Sequence, residues 1–397
     1  MADLARTGTL QQNRANMISR VASRFPMGVR RVVRQTIEAP RTFQSWMQGW
    51  RGESSSTTLR VFYGYRTLPR TNELAHGGII KCQHLETHFP NSFSKFNLLY
   101  LVSSRLPPGA PSMVRLSHQR GARVVWNQNG VAYPAWHGPG WERTNKPMAS
   151  ILQEADHVFY QSQFCKLAAD RYLGKRGGSW EILYNPVDTR TFTPITTPID
   201  SDHFTLLLAG TQYQWYRIET AIRALAHVRR ERPTARLFVT GRLCWIPDER
   251  AARRAAEQLA RTLRVEDHVT FVGPYTQREA PTVFQQAQVL IHPKYNDPCP
   301  SVVLEAMACG LPVVYSKSGG VPELVGDEAG IGVPTPLSWE QDLPPEPRAF
   351  AQAILEVAAR RHDFVDAARQ RAVERFDLQP WLARHREIFE RLCRVGG

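Results

Sequence analysis

The chain has 397 residues, 42% of them hydrophobic and 22% charged, with a formal net charge of +14. That balance excludes wholesale disorder, and no apolar run approaches the roughly 18 residues of a membrane-crossing helix. The length exceeds what one core usually fills, so two domains are expected. The basic excess points to anionic partners such as nucleotide diphosphates, acidic lipids or nucleic acid.

Residues 1–58 form a segment of their own. They hold nine arginines against Asp3, Glu38 and Glu53, a net +6. Met17, Val21, Phe25, Val29, Val32 and Val33 recur at roughly helical spacing with arginines interleaved, and Pro26 should kink or break that helix. Phe43, Trp46 and Trp50 then cluster around Met47. A basic amphipathic helix beside aromatics is the composition of an interfacial membrane anchor; a helical arm packed on a globular body is the competing reading. No secretory apolar run precedes it. The ESSSTT stretch, Glu53 to Thr58, reads as a linker. Six cysteines lie scattered at 82, 165, 244, 299, 309 and 393, without zinc spacing, and read as free thiols in a reducing compartment.

From Leu59 the pattern alternates. LRVFYGY (Leu59 to Tyr65), FNLLYLVSS (Phe96 to Ser104), ARVVWNQN (Ala122 to Asn129), HVFYQS (His157 to Ser162) and WEILYNPVD (Trp180 to Asp188) are short apolar runs, expected as buried strands. Residues 59–195 are thus expected to form a first parallel α/β domain. After the Pro- and Thr-rich TPITTPIDSD a second series follows: FTLLLAG, ARLFVTG, HVTFVG, QVLIHP and LPVVYS, with a helix around Ile218 to Arg232. This second Rossmann-like domain is expected over 196–375, and residues 376–397 as a final helix. Two doubly wound domains would face each other and bind ligands at their strand C-termini.

The segment His292 to Pro334 concentrates the chemistry. A buried strand ends at His292, a loop carries Asn296, Asp297 and two prolines, and a helix begins near Ser301 with Glu305 in its first turns. Free amides after Pro300, on Ser301 and Val302, make an anion site, because unpaired N–H groups and the helix dipole both favour phosphate. Asp297 and Glu305 would accept from sugar and ribose hydroxyls. Gly319 and Gly320 give a loop whose backbone can approach a ligand closely.

This segment resembles the donor-binding signature of the family 4 retaining glycosyltransferases: two glutamates separated by seven residues, then a helix of LEAMACG type and PVV. Glu305 matches the second glutamate, and Asp297 stands at the first, one methylene shorter. The wider resemblance covers residues 59–394. It implies two Rossmann-like domains across a cleft, with the last helix, Phe376 to Leu392, crossing back onto the first domain. It implies Glu305 at the ribose and Asp297 beside the transferred sugar. VTFVGPY resembles the strand and loop that take up the nucleobase, placing Tyr275 there. ELAHGG (Glu73 to Gly78) resembles the glycine loop of the first domain, placing Gly77 and Gly78 by the diphosphate or acceptor.

The chain departs from the family where the leaving diphosphate is neutralised. After Gly210 the family has an arginine and, five residues on, a lysine; here Thr211 and Tyr216 stand there, and Arg217 comes one residue late. Two positive charges are missing, where one oxyanion donor is worth about 3–4 kcal/mol. Either Arg217, Arg242 or Lys294 substitutes, or the chain is a weak or inactive binding or scaffold protein of the same fold. On the acceptor side, Asn129 ends a strand, His137 lies eight residues on, and Trp136 offers a face for a sugar ring. The reading is a retaining transferase using a UDP- or GDP-type sugar as co-substrate, with no other cofactor and no metal expected. The acceptor would be a glycan or a lipid-linked molecule, in the cytoplasm or on the inner membrane face. Nucleic-acid binding through the arm ranks below this, since the arm carries no recognised motif.

Overall fold

The computed structural model describes residues 58–70, 73, 77–195 and 202–394. The basic arm and its aromatic cluster lie outside the described residues, as do parts of the Glu73 to Gly78 loop and of the TPITTPIDSD stretch.

The first sheet contains β1 (Val61–Phe62), β2 (Leu98–Val102), β3 (Arg123–Gln128), β4 (His157–Tyr160) and β5 (Trp180–Ile182). All pairings are parallel, and the strands lie side by side in chain order. β1 and β5 are shorter than the apolar runs suggest; both are edges, with a neighbour on one side only. Alternate residues face opposite ways along a strand. Leu99, Leu101, Val124, Trp126, Val158 and Tyr160 meet α2 (Ala110–Gln119), α4 (Trp141–Glu154) and α5 (Gln163–Tyr172) on one face. The short α3 (Pro134–His137) precedes α4. Leu98, Tyr100, Val102, Val125 and Phe159 meet α1 (Gly77–Glu86) on the other.

The second sheet contains β6 (Phe204–Leu208), β7 (Ala235–Thr240), β8 (Val269–Gly273), β9 (Val289–His292), β10 (Val313–Lys317) and β11 (Gly330–Pro334), all parallel. Their order is β11-β10-β9-β6-β7-β8. The sequence runs identified five of the six. GIGVP, which forms β11, carries two glycines and lacks an apolar run, but it pairs with β10 over five residues. One face is covered by α6 (Trp215–Glu231), α7 (Glu249–Thr262) and α11 (Pro347–Ala359). The other is covered by α8 (Ala280–Phe284), α9 (Ser301–Ala308), α10 (Val321–Val325) and α12 (Arg361–Phe376).

The last helix, α13 (Leu378–Arg394), leaves the second domain. Trp381, Leu382, Ile388 and Phe389 enter the core of the first sheet on the α1 face. His385 is fully buried among them, its ring 3.2 Å from the Tyr100 hydroxyl. Arg384 holds Glu181 of β5 at 2.8–3.0 Å. The domains also meet directly. The Ser162 hydroxyl caps α5 by accepting from Cys165 N–H at 3.0 Å and donates to the Pro298 carbonyl at 2.7 Å. Glu323 of α10 accepts from the amides of Gln163 and Phe164 at 2.7 and 2.9 Å, placing a carboxylate at the positive end of α5.

Candidate active site

In the second sheet β6, β7 and β8 proceed one way and β9, β10 and β11 the other, so strand order reverses between β6 and β9. Loops leaving the C-terminal ends of two such strands diverge and leave a crevice. The β6 loop carries Gly210 and Thr211, and the β9 loop carries Lys294 to Pro300 and leads into α9.

The two loops touch at the floor of this crevice. A Cβ on Gly210 would sit 3.4 Å from the Val302 side chain, so Gly210 lies against the first turn of α9. Gly241, after β7, has φ +80, and a Cβ there would come 2.2 Å from the Gly210 carbonyl. Only glycine fits. Pro300 caps α9 with extended backbone and offers no side-chain acceptor, so the amide end of the helix is not closed by its own cap residue. On the far side, Gly319 (φ +68) and Gly320 lie against the backbone of the β9 loop. Added Cβ atoms would meet the carbonyls of Asp297 and Pro298 at 2.5 and 2.0 Å. These glycines therefore lie close against the Asp297 loop.

The two signature carboxylates have opposite surroundings. Glu305 has no hydrogen-bond or ion-pair partner among the described residues, and burial alone raises its carboxyl to about 7. It borders open space in the crevice yet is ringed by protein, beside Tyr275, whose hydroxyl is raised by burial and by this same carboxylate. Asp297 is 7% exposed and accepts from His292 Nε2 at 3.0 Å and Lys294 Nζ at 3.1 Å. Burial opposes its charge, but Lys294 and His292 outweigh that and hold it well below the usual carboxylate range. His292 was visible in the sequence only as a strand end. Its spacing from Asp297 places it on the last residue of β9, facing the carboxylate.

The three cations named as substitutes for the missing pair differ in setting. Arg217 is buried rather than solvated. Its Nη atoms donate to the carbonyls of Thr211 at 2.6 Å and Ala209 at 3.3 Å, and its Nε lacks a partner. It braces the β6 loop and adds positive charge near Asp297. Lys294 pairs with Asp297 and lies 5.2 Å from the Trp136 ring across the cleft. Arg242 is exposed, its Nε 3.5 Å from Glu249. Tyr216, at the expected lysine position, accepts from the Tyr295 amide at 3.0 Å and so supports the β9 loop.

On the first-domain side, Trp136 is 41% exposed and meets Tyr213 edge to face at 6.3 Å. Asn129 donates to Ser104 Oγ at 2.8 Å and accepts from Lys81 at 3.3 Å. Gly78 packs where a Cβ would be 2.5 Å from Ser104 Oγ, while Gly77 faces open space. His137 is exposed at the end of α3, 2.8 Å from Thr144 Oγ1, and no contact joins it to Asp297 or Glu305. The sequence reading missed Lys81. It is 3% exposed, donates to Asn127 Oδ1 at 2.8 Å, and burial lowers it to about 8. A lysine inside a short helix carries no signal in the sequence that its ammonium points inward. Among the described residues no cluster of three or more His, Cys, Asp or Glu is placed to hold a metal ion.

Two parallel-sheet domains facing across a cleft, with ligand loops at a strand-order reversal, define the two-Rossmann-domain, B-type glycosyltransferase fold. Anabaena HepE, solved in complex with UDP-glucose, superposes with a TM-score of 0.64 at 17% identity, covering 84% of this chain and all of that one. Sucrose-phosphate synthase from Thermosynechococcus elongatus superposes at 0.62 and 20% identity, covering 81% and 78%. Residues 190–371 match the family described as glycosyl transferases group 1. D-inositol 3-phosphate glycosyltransferase of Salinispora tropica is 33% identical over 150 residues, 36% of this chain and 31% of that protein. The gpi3 subunit of Schizosaccharomyces pombe phosphatidylinositol N-acetylglucosaminyltransferase is 21% identical over 251 residues, 60% and 53%. The alignments thus span about a third to a half of these relatives' lengths.

Proposed function

We propose that the chain transfers a sugar from a nucleoside-diphosphate sugar, of UDP or GDP type, to a glycan or lipid-linked acceptor, with retention of anomeric configuration. The observation that carries this reading is Glu305: a half-buried carboxylate without a partner among the described residues, in the first turns of a helix whose amide end its cap residue leaves open, in the crevice at a strand-order reversal. A carboxylate in that state is costly unless a ligand hydroxyl donates to it. Glu305 would bind the ribose, the α9 amides the diphosphate, Tyr275 and its loop the base. Asp297, through the oxygen not engaged by His292 and Lys294, would accept from the transferred sugar. Lys294 and Arg217 would supply the positive charge absent at Thr211 and Tyr216. Trp136 would lie beneath the acceptor, and closure of the cleft would exclude water. On this reading the enzyme works in the cytoplasm or on the inner membrane face, docked through residues 1–58.

The second reading, a nucleotide-binding protein with weak or no turnover, is favoured by one observation. Both substitute cations already serve internal partners, Lys294 on Asp297 and Arg217 on two carbonyls. Binding and hydrolysis of UDP-, GDP- and ADP-sugars by the natural chain and by Glu305→Ala separate the two. Turnover of one donor, lost on substitution, supports the transferase. Binding that depends on Glu305, without turnover even when glycan and lipid extracts are supplied, supports the second reading. No binding of any of these donors refutes both.

A further inference from the structure

Between β11 and α11 the chain does not return directly to the second domain's surface. Residues 335–342 cross the cleft and insert Trp339 into the first domain, where it is 8% exposed. Its ring stacks on Phe164 at 5.1 Å and 16° and meets Tyr133 and Tyr172 edge to face at 5.0 and 5.6 Å. Its carbonyl accepts from the Ala135 amide at 2.9 Å.

The same strap holds the residues next to Asp297. The Tyr295 hydroxyl donates to the Pro336 carbonyl at 2.5 Å and accepts from the Ser338 amide at 2.6 Å. Asn296 Nδ2 donates to the Ser338 carbonyl at 2.9 Å. Asn296 has φ +49, a left-handed conformation that asparagine adopts more readily than most non-glycine residues. Gln214, at the start of α6, donates to Asp342 at 2.6 Å.

We infer that the strap is a positioning device: Trp339, seated in the first domain, fixes the Tyr295–Asn296 turn and thereby sets Asp297 for the transferred sugar only when the two domains are together. The physical reason is connectivity. The strap's anchor lies on one side of the cleft and its hydrogen bonds on the other, so opening the cleft must either unseat the indole or strip the turn of its three bonds to the strap. Glu305, on α9, is not tied to the strap. Nucleotide binding and sugar positioning therefore separate, the first tolerating an unseated strap and the second not. The assignment of the sugar to Asp297 rests on the proposed function; the strap's hold on the turn does not.

Amide hydrogen exchange by mass spectrometry on the full chain tests the hold without any ligand. The reporters are the amides of Tyr295 and Asn296, bonded to Tyr216 Oη and Ser318 Oγ. Trp339→Ala should speed their exchange at least tenfold, Trp339→Phe should restore it to within about threefold, and exchange in β6 should not change. Tyr295→Phe, which removes only the hydroxyl that Pro336 and Ser338 share, should speed it as well. Unchanged exchange in both Trp339→Ala and Tyr295→Phe overturns the proposal. The second arm compares UDP with UDP-glucose and GDP with GDP-mannose by calorimetry. The nucleotide alone should bind Trp339→Ala within about threefold of the natural chain, while the gain from the sugar should fall at least tenfold. Equal losses for nucleotide and nucleotide sugar overturn the separation. A natural chain that binds none of the four refutes the proposed function, and the exchange arm then decides the strap alone.

Discussion

Asp297 and Glu305 stand eight positions apart in one segment, and a sequence comparison treats them as two halves of one signature. The structure gives them different states. Asp297 is held as an anion by a histidine and a lysine within 3.1 Å, whereas Glu305 is half-buried with no partner among the described residues and is raised to about 7. A carboxylate already paired costs little to keep ionised, and removing one partner of the pair is costly; one left unpaired costs stability until a ligand arrives. The pair therefore divides the work. On the proposed function, Asp297 would organise the loop and Glu305 would be the part of the site that changes state on binding.

Four measurements would sharpen or break that division. The largest effect belongs to Glu305→Ala, which should weaken nucleoside diphosphate binding at least a hundredfold by calorimetry, with melting no lower than the natural chain. A mutant that binds normally would refute the assignment. Next, Asp297→Asn should cost about 3 kcal/mol in chemical denaturation, because it leaves the half-buried Lys294 without its counter-charge, while nucleotide affinity shifts less than about threefold. Loss of nucleotide binding with no loss of stability would reverse the two roles.

The third measurement is a pH series. If only the ionised Glu305 accepts from the ribose, affinity should rise about tenfold from pH 6 to pH 8 as a group near 7 loses its proton, and Glu305→Gln should flatten the profile. Stability of the free chain should run the other way. Glu305 is raised above its ordinary 4.5, so its contribution is complete below pH 4.5 and is lost as pH passes 7. Asp297 is lowered, so its contribution is present above its ordinary 3.8 and vanishes only in stronger acid. A binding profile flat from 6 to 8 would show that Glu305 is not the titrating acceptor. The smallest effect is expected of Lys294→Met. It should cost about 1–2 kcal/mol of stability, since His292 remains on Asp297, and lower donor turnover about tenfold by removing charge from the leaving side.

The sequence made one part of this site readable and hid another. Apolar runs bounded by loops located five strands of the second sheet, because a buried parallel strand needs a continuous apolar stretch. The order of those strands, and hence the crevice, is not written in any run. The helix start at Ser301 and the carboxylates at 297 and 305 were visible as local spacing. Asp297's engagement with Lys294 was not. The sequence offers Lys294 as a cation for the diphosphate, and its pairing with Asp297 depends on which way the β9 loop turns. Trp339 was the least legible. PTPLSWEQDLPP reads as a polar, Pro-rich connector, and its tryptophan is buried only because Tyr133, Phe164 and Tyr172 arrive from another domain. Arg217 shows the same limit from the other side. At a helix start it looks solvated, yet the fold turns it inward onto the carbonyls of its own loop.

The last helix carries a consequence for how the protein is made. Trp381, Leu382, Ile388 and Phe389 fill one face of a sheet whose first strand begins at Val61. A ribosome that has finished the first five strands has made a sheet with that face only partly covered. Some two hundred further residues, the whole second domain among them, must emerge before its covering helix does. During that interval an apolar surface waits on the nascent chain, the circumstance in which chaperones are recruited. Synthesis from the N-terminus would fold the second domain before the first is complete, reversing the order in which the two are encoded.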